Sequence, residues 1–163
     1  MVRRATPEDV PFLIRGILAL ARYEKREAEC DLSEDRLHEH LFGADPKCFA
    51  LVEEDPKRRG GEPIGFALCF FSYSTFRTRP CMHLEDLFVF PEHRGRGHGL
   101  RLLRAVAAEA VRLRCARLEW TVLDWNRPAI EFYERQGARL LPDWRICRLD
   151  GAALLDVASR GGA

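Results

Sequence analysis

The sequence predicts an α/β (α+β) fold: a central mixed, mostly antiparallel sheet of about six to seven strands flanked by helices. Three observations lead there. Three apolar strand candidates follow one another before residue 91 with no long helix between them, which is the pattern of an antiparallel meander and not of an alternating βαβα chain. A glycine-rich turn, "RGRGHG" at 94–99, then joins the last of them to a long amphipathic segment. Finally, 163 residues of which 47% are apolar suit a single domain, 1–163, with a sizeable core and a flexible tail from about 158.

The elements read in order as follows. "MVRRAT" is a short strand, after which Thr6 can cap a helix whose first position is Pro7 and whose pattern runs through "PEDVPFLIRGILALARYEK". Glu8 and Asp9 fall in its first turn, where they suit the helix dipole. A second helix runs from a Ser33 cap through "EDRLHEHLF" and closes at Gly43. "CFALVE" (48–53) and "IGFALCFF" (64–71) are apolar strands, and the polar stretch "EDPKRRGGEP" between them reads as a hairpin-like turnaround. "SYSTFRTRPCM" reads as a longer polar connection to the strand "HLEDLFVF". From Gly97 onward, Leu102, Leu103, Val106, Ala110 and Leu113 recur at helical spacing, with Arg101, Arg104 and Arg112 opposite. "RLEWTVL" is a further strand and "RPAIEFYERQG" a short helix with Pro128 near its start and Gly137 at its end. "WRICRLD" reads as a final strand, followed by a modestly helical tail.

Charge and composition exclude several classes. With 26 basic and 25 acidic residues the formal charge is +1, so no general electrostatic footprint for nucleic acid or an anionic membrane is present. The six cysteines are scattered without C-x-x-C pairs, and neither His38-x-His40 nor His93-x4-His98 has an acidic helper at helical zincin spacing, so no metal centre is expected. Arg3 and Arg4 precede a segment interrupted by Glu8, Asp9 and Arg15, which is no signal peptide. No uninterrupted apolar run reaches the roughly 18 residues needed to span a bilayer. Cytoplasmic residence is the expectation.

The turn at 94–99 carries the chemistry. Gly95, Gly97 and Gly99 leave main-chain N–H groups unscreened between a strand and a helix N-terminus, whose dipole adds about half a positive charge. The natural guest is a phosphate or pyrophosphate, which Arg94 and Arg96 can engage bidentately. A nucleoside-triphosphate loop would need Lys then Ser or Thr after its last glycine, where this chain has Leu100 and Arg101. A dinucleotide fingerprint would need G-x-G-x-x-G in an early βαβ unit, whereas here the spacing is G-x-G-x-G after three strands. What remains is either a ligand-free surface turn or the site of a pyrophosphate-bearing acyl carrier, coenzyme A.

R-G-x-G-x-G after a strand and before a helix resembles the acyl-CoA loop, R/Q-x-x-G-x-G/A, of the GCN5-related N-acetyltransferase superfamily. Four further segments, "LARYEKREAE", "SYSTFRTRPCMHLEDLFV", "WNRPAIEFYERQGA" and "DWRICRL", are similar to its branch of diamine, spermidine/spermine and thialysine acetyltransferases, so the resemblance covers nearly the whole chain. It implies the fold of that superfamily, acetyl-CoA as cosubstrate, a small amine acceptor and a homodimer. It further implies that Tyr133 protonates the departing thiolate, that Glu85 is the base acting through water, and that Asp86 faces the acceptor. Tyr23, Glu24 and Trp144 are implied on the acceptor side. The implied carrier-binding set is Phe88, Val89, Phe90, the run from Arg94 through Gly95, Arg96, Gly97, His98 and Gly99 to Leu100, and Asn126, Tyr133 and Arg135. The chain departs from the branch at His83, Cys81, Arg77 and Arg79, and the two arginines suggest an acceptor that also carries a carboxylate.

The residues make chemical sense of these roles. Acetyl transfer to nitrogen needs a neutral amine, yet a lysine-like amine has a pKa of about 10.4, so a site needs anions to gather the cation and a relay to remove its proton. Strand alternation sends Glu85 and Asp86 to opposite faces unless a bulge intervenes, and two adjacent acids in an apolar strand are expensive to bury without a role. Tyr133, a phenol of reference pKa about 10, can supply a proton. A strand N–H near Phe88 to Phe90 would polarise the thioester carbonyl. No cysteine has an evident His and acid partner set, which disfavours a covalent route. The acidic run Glu24, Glu27, Glu29, Asp31, Glu34 and Asp35 supplies one wall for a cationic acceptor or else a solvated loop. Two alternatives stay open: acetylation of protein lysines or N-termini, and a non-catalytic CoA-binding homologue.

Overall fold

A computed structural model describes residues 1–55 and 63–160, so most of the polar turnaround at 54–63 and the Gly-rich end at 161–163 lie outside the described residues. The chain forms two compact units, Met1–Thr121 and Val122–Ala163.

In the first unit, β1 (Val2–Arg4), β2 (Phe49–Glu53), β3 (Gly65–Ser74), β4 (Arg79–Val89) and β5 (Leu118–Glu119) form one sheet in the order β1-β2-β3-β4-β5. The first three pairings are antiparallel and β4–β5 is parallel, so the sheet is mixed and mostly antiparallel. Five strands form among the described residues, against the six to seven expected. α1 (Val10–Tyr23), α2 (Glu34–Phe42) and α3 (His98–Arg112) complete the unit.

Alternation along the strands sorts the core into two layers. Ala50, Val52, Phe66, Leu68 and Phe88 pack with Phe12 and Leu13 of α1 and Leu41 of α2. The intervening strand residues Leu51, Ala67, Cys69, Met82 and Leu84 are also buried, and Leu102, Leu103, Val106 and Ala110 form the buried stripe of α3, which lies against β2, β3 and β4. α1 comes very close to the sheet at Gly16, where an added Cβ would sit 2.6 Å from the Phe66 ring.

Local chemistry explains the helix starts. Asp9 Oδ2 accepts from the Thr6 N–H at 2.7 Å, closing a single 3-10 turn, Pro7–Asp9, before α1. Ser33 Oγ accepts from the Arg36 N–H at 3.3 Å and starts α2. The stretch "SYSTFRTRPCM" is not a long connection: β3 and β4 run on through most of it and turn at Thr75–Thr78, where the Thr78 N–H donates to Thr75 O at 3.2 Å. Ser72, Tyr73, Ser74 and Arg79 are polar, but strand pairing between long antiparallel partners overrides composition.

The second unit contains α4 (Arg127–Glu134) and α5 (Gly151–Ser159). Asn126 Oδ1 accepts from the Ala129 N–H at 3.4 Å, and α4 ends in bonds from the Gly137 N–H to Glu134 O and the Ala138 N–H to Tyr133 O. The expected strand "WRICRLD" does not form. Residues 143–150 have no regular structure and are exposed, Trp144 at 76% and Ile146 at 72%. The alternation in that segment is a strand signal, but a strand exists only where another backbone accepts its ladder. For the same reason the expected strand 117–123 shrinks to the two residues of β5 that pair with β4.

Candidate active site

The strand β4 positions the acids. Leu68 pairs with Asp86 and Cys69 with Leu84, so Glu85 is the extra residue of a β-bulge. The bulge breaks the alternation: Glu85 is exposed, with its Oε2 3.7 Å from His83 Nε2, and Asp86 is half-buried. His83 in turn stacks on Phe70, centroids 4.7 Å apart. Burial, reinforced by the charges of Glu85 and Glu24, pushes the Asp86 carboxyl up to about 7. Burial also raises Glu24, at the end of α1, with Arg26 opposing and Glu85 adding to the effect. Three carboxylates from two elements therefore share one electrostatic neighbourhood.

The sheet opens beside them. β5 pairs with β4 only at Met82↔Leu118 and His83↔Glu119, so this ladder does not continue along residues 84–89. The Phe90 N–H donates to Ile64 O at 3.1 Å across the pair Gly65↔Val89, which makes that pair a non-hydrogen-bonded one. In phase with it, the Phe88 N–H points into the β3 ladder, and the N–H groups of Leu87 and Val89 point to the edge that β5 leaves. Of the expected trio Phe88, Val89 and Phe90, Val89 is the one whose N–H faces outward from β3.

A single 3-10 turn, Pro91–His93, leads from β4 into the glycine run. Gly95 and Gly97 have φ of +73° and +80°, the left-handed region, and an added Cβ at Gly95 or Gly99 would meet nothing within 4 Å. No acceptor among the described residues takes the N–H groups of residues 95–100, while the next one, Arg101, donates to Gly97 O at 3.0 Å. Open space and six unused donors at the start of α3 fit a diphosphate. Arg96 is exposed. Arg94 is turned elsewhere: its Nε donates to Val89 O at 2.8 Å, and its Cζ lies 5.3 Å from the Tyr23 ring centroid and 5.4 Å from that of Phe88. The His98 side chain is buried and held by Glu53, so only its main chain belongs to the donor array.

Asn126, Tyr133, Arg135 and Trp144 belong to the second unit. Asn126 is buried as the cap of α4, the Tyr133 ring lies 5.1 Å from that of Phe132, Arg135 is 3.9 Å from Glu131, and Trp144 is exposed. Arg77 and Arg79 lie away from the acids of β4: six steps along the strand separate Arg79 from Glu85, about 20 Å at ~3.3 Å per residue. They line a separate cavity with Phe76 and Ala116. Sequence reasoning missed Glu53, whose only signal is an acid ending an apolar strand. Among the described residues no group of three or more His, Cys, Asp and Glu side chains is arranged to hold a metal ion, and no helix is long and apolar enough to cross a membrane.

The pattern of the acetyltransferase (GNAT) family matches residues 15–138. The thialysine N-epsilon-acetyltransferase of Bos taurus is 36% identical over 98% of both chains. The L-ornithine N5-acetyltransferase NATA1 of Arabidopsis thaliana is 34% identical over 94% of this chain and 85% of its own length. Among solved structures, an integron cassette protein from the mobile metagenome of V. cholerae superimposes with a TM-score of 0.77 at 26% identity, covering 97% of this chain and 96% of its own. Members of this family generally take their acetyl group from acetyl-CoA. The bulged acidic strand, the open edge beside it, the uncovered donor turn and near full-length likeness to named N-acetyltransferases lead to one conclusion: the chain belongs to the acetyltransferase (GNAT) family and is an N-acetyltransferase.

Proposed function

We propose that this enzyme transfers acetyl from acetyl-CoA to a primary amine of a small cationic acceptor, a diamine, polyamine or thialysine-like amino acid, by direct attack in a ternary complex. The carrying observation is the convergence of Glu24, Glu85 and Asp86 at the bulge of β4, beside the outward Val89 N–H. An anionic cluster gathers a small cation and holds it close to the strand edge. The full-length likeness to enzymes named for thialysine and ornithine supports an acceptor of that size.

Each residue then has a task. The N–H groups of residues 95–100 bind the diphosphate of the cosubstrate. Glu24 and Asp86 attract the ammonium group, and exposed Glu85 takes its proton through water. The freed lone pair attacks the thioester carbonyl carbon, and the Val89 N–H stabilises the oxygen as it becomes negative. Breaking the carbon–sulfur bond releases a thiolate, to which Tyr133 gives its phenolic proton; the second proton of the attacking nitrogen passes through water to restore the phenol, leaving the N-acetyl product and CoA. Homodimer assembly, implied by the resemblance, is read out by sedimentation.

The test is a turnover screen with acetyl-CoA across diamines, polyamines, thialysine, ornithine and lysine-containing peptides, run on the wild type and on Tyr133→Phe. Small diamino acceptors are expected to exceed the peptides in kcat/KM by at least tenfold. Tyr133→Phe is expected to lose roughly 10²-fold or more in turnover while still binding CoA. Peptides as fast as the small amines would favour a protein acetyltransferase, and an unchanged Tyr133→Phe rate would remove its acid role.

A further inference from the structure

Glu53 ends β2 behind the glycine turn, and its carboxylate is completely buried. Its Oε1 accepts from Arg101 Nε at 2.7 Å and lies 2.9 Å from His98 Nδ1, and the Met1 ammonium is 3.8 Å away. Its Oε2 is buried and makes no hydrogen bond among the described residues. His98 and Arg101 are the first and fourth residues of α3; the carboxylate anchors Arg101, and His98 Nδ1 is closed in between Glu53 Oε1 and Arg101 Nη2, so the three side chains lock that first turn together. Arg101 also reaches back: its Nη1 lies 3.5 Å from Arg96 O and would lie 3.6 Å from a Cβ at Gly97.

We propose that Glu53 is a positioning residue for the acetyl-CoA turn, setting the outward aim of the N–H groups of residues 95–100 by holding His98 and Arg101 from below. The inference rests on the reading of that turn as the carrier site. Two features argue for it. A buried carboxylate with an oxygen left over is a poor way to stabilise a fold, because well-packed apolar residues serve as well or better in such places. Its charge also opposes the bound ligand, since a negative group behind an anion site lowers the local potential. Attraction to the cosubstrate therefore cannot account for Glu53, and geometry can.

The two accounts predict opposite signs. Glu53→Gln keeps the shape and removes the charge, leaving Arg101 uncompensated. A purely electrostatic role makes acetyl-CoA bind as well or better, whereas a positioning role raises its KM. Arg101→Lys, on a half-exposed side chain that tolerates change, keeps the positive charge and loses the fixed guanidinium fork. Steady-state kinetics on the full chain should give a KM for acetyl-CoA raised about 5–10-fold in both variants, with kcat at saturation and the KM of the amine within twofold of wild type. Should Glu53→Gln fail to fold, Arg101→Lys decides alone. An unchanged or lower KM for acetyl-CoA overturns the inference, as does a joint change of kcat and both KM values. Gly97→Ala, which strains the turn itself, separates the causes of failure: if it raises the KM for acetyl-CoA and the other variants do not, only the role of Glu53 falls. If Gly97→Ala also leaves that KM untouched, the reading of the turn falls and this inference with it.

Discussion

At the scale of single residues, Asp86 joins function to a cost in stability. Its folded pKa, raised to about 7 by burial and by its acidic neighbours, exceeds that of the unfolded chain. Between the two values the folded protein binds more protons, so stability falls as pH rises from about 4 to about 7. Asp86→Asn should therefore raise stability at pH 8 by about 1–2 kcal/mol, allowing for water at a half-buried carboxyl, in urea unfolding. The same variant should weaken the amine. With Asp86 ionised only above about 7, wild-type kcat/KM for a diamine should drop below that pH, and the variant should lose this limb. A limb near 7 that persists in Asp86→Asn would assign it to another group. The acids themselves were legible in the sequence because two adjacent carboxylates interrupt an apolar strand. Their division of labour was not, because it depends on a bulge that appears only when β4 is set in register with β3.

At the scale of elements, the contact of α1 with the sheet is a spacing problem. Gly16 leaves room for the Phe66 ring, itself completely buried against Phe12 and Phe88. Gly16→Ala fits helix propensity but places a methyl 2.6 Å from that ring. Overpacking should win, lowering stability by about 1–3 kcal/mol and the thermal midpoint with it. A midpoint equal to or above wild type would mean that the ring has room to move. Helix α2 was legible to the residue, since caps and periodicity are local: it starts after Ser33 and ends before Gly43, as the sequence predicts, whereas the helix expected from Pro7 opens as a 3-10 turn and becomes α-helical at Val10. Strands were less so. β3 and β4 extend into a polar stretch because each supplies the other's ladder, while the segment 143–150 alternates without forming a strand.

At the scale of the whole molecule, acid sensitivity should come from a few paired carboxylates. Glu109 of α3 accepts from Arg112 at 2.8 Å and from Arg4 of β1, and these bonds, outweighing burial, hold it down to about 2. For Asp9, burial is overcome by the Arg3 and Thr6 hydrogen bonds and its pKa is lowered. A depressed carboxylate contributes stability above its unfolded pKa and loses it as pH falls toward the folded value. The wild type should thus lose stability steeply between about pH 4.5 and 2. Glu109→Gln should be less stable by about 1–2 kcal/mol at pH 7 and show a shallower loss in acid. Equal slopes for the two proteins would show that this pair is screened away.

The amino-acid sequence alone determined the fold class, the capped helix α2, the glycine turn and the two adjacent acids of β4, because periodicity, capping and glycine spacing act within a few residues of each other. Tertiary structure decided the rest. It chose Val89 over Phe88 and Phe90 as the outward donor, turned Arg94 toward Tyr23, buried His98 on Glu53 and kept Arg79 well away from the acids of its own strand. Each of these depends on which backbone lies alongside, and hydrogen-bond phase and buried charge pairing are set between segments far apart in the chain.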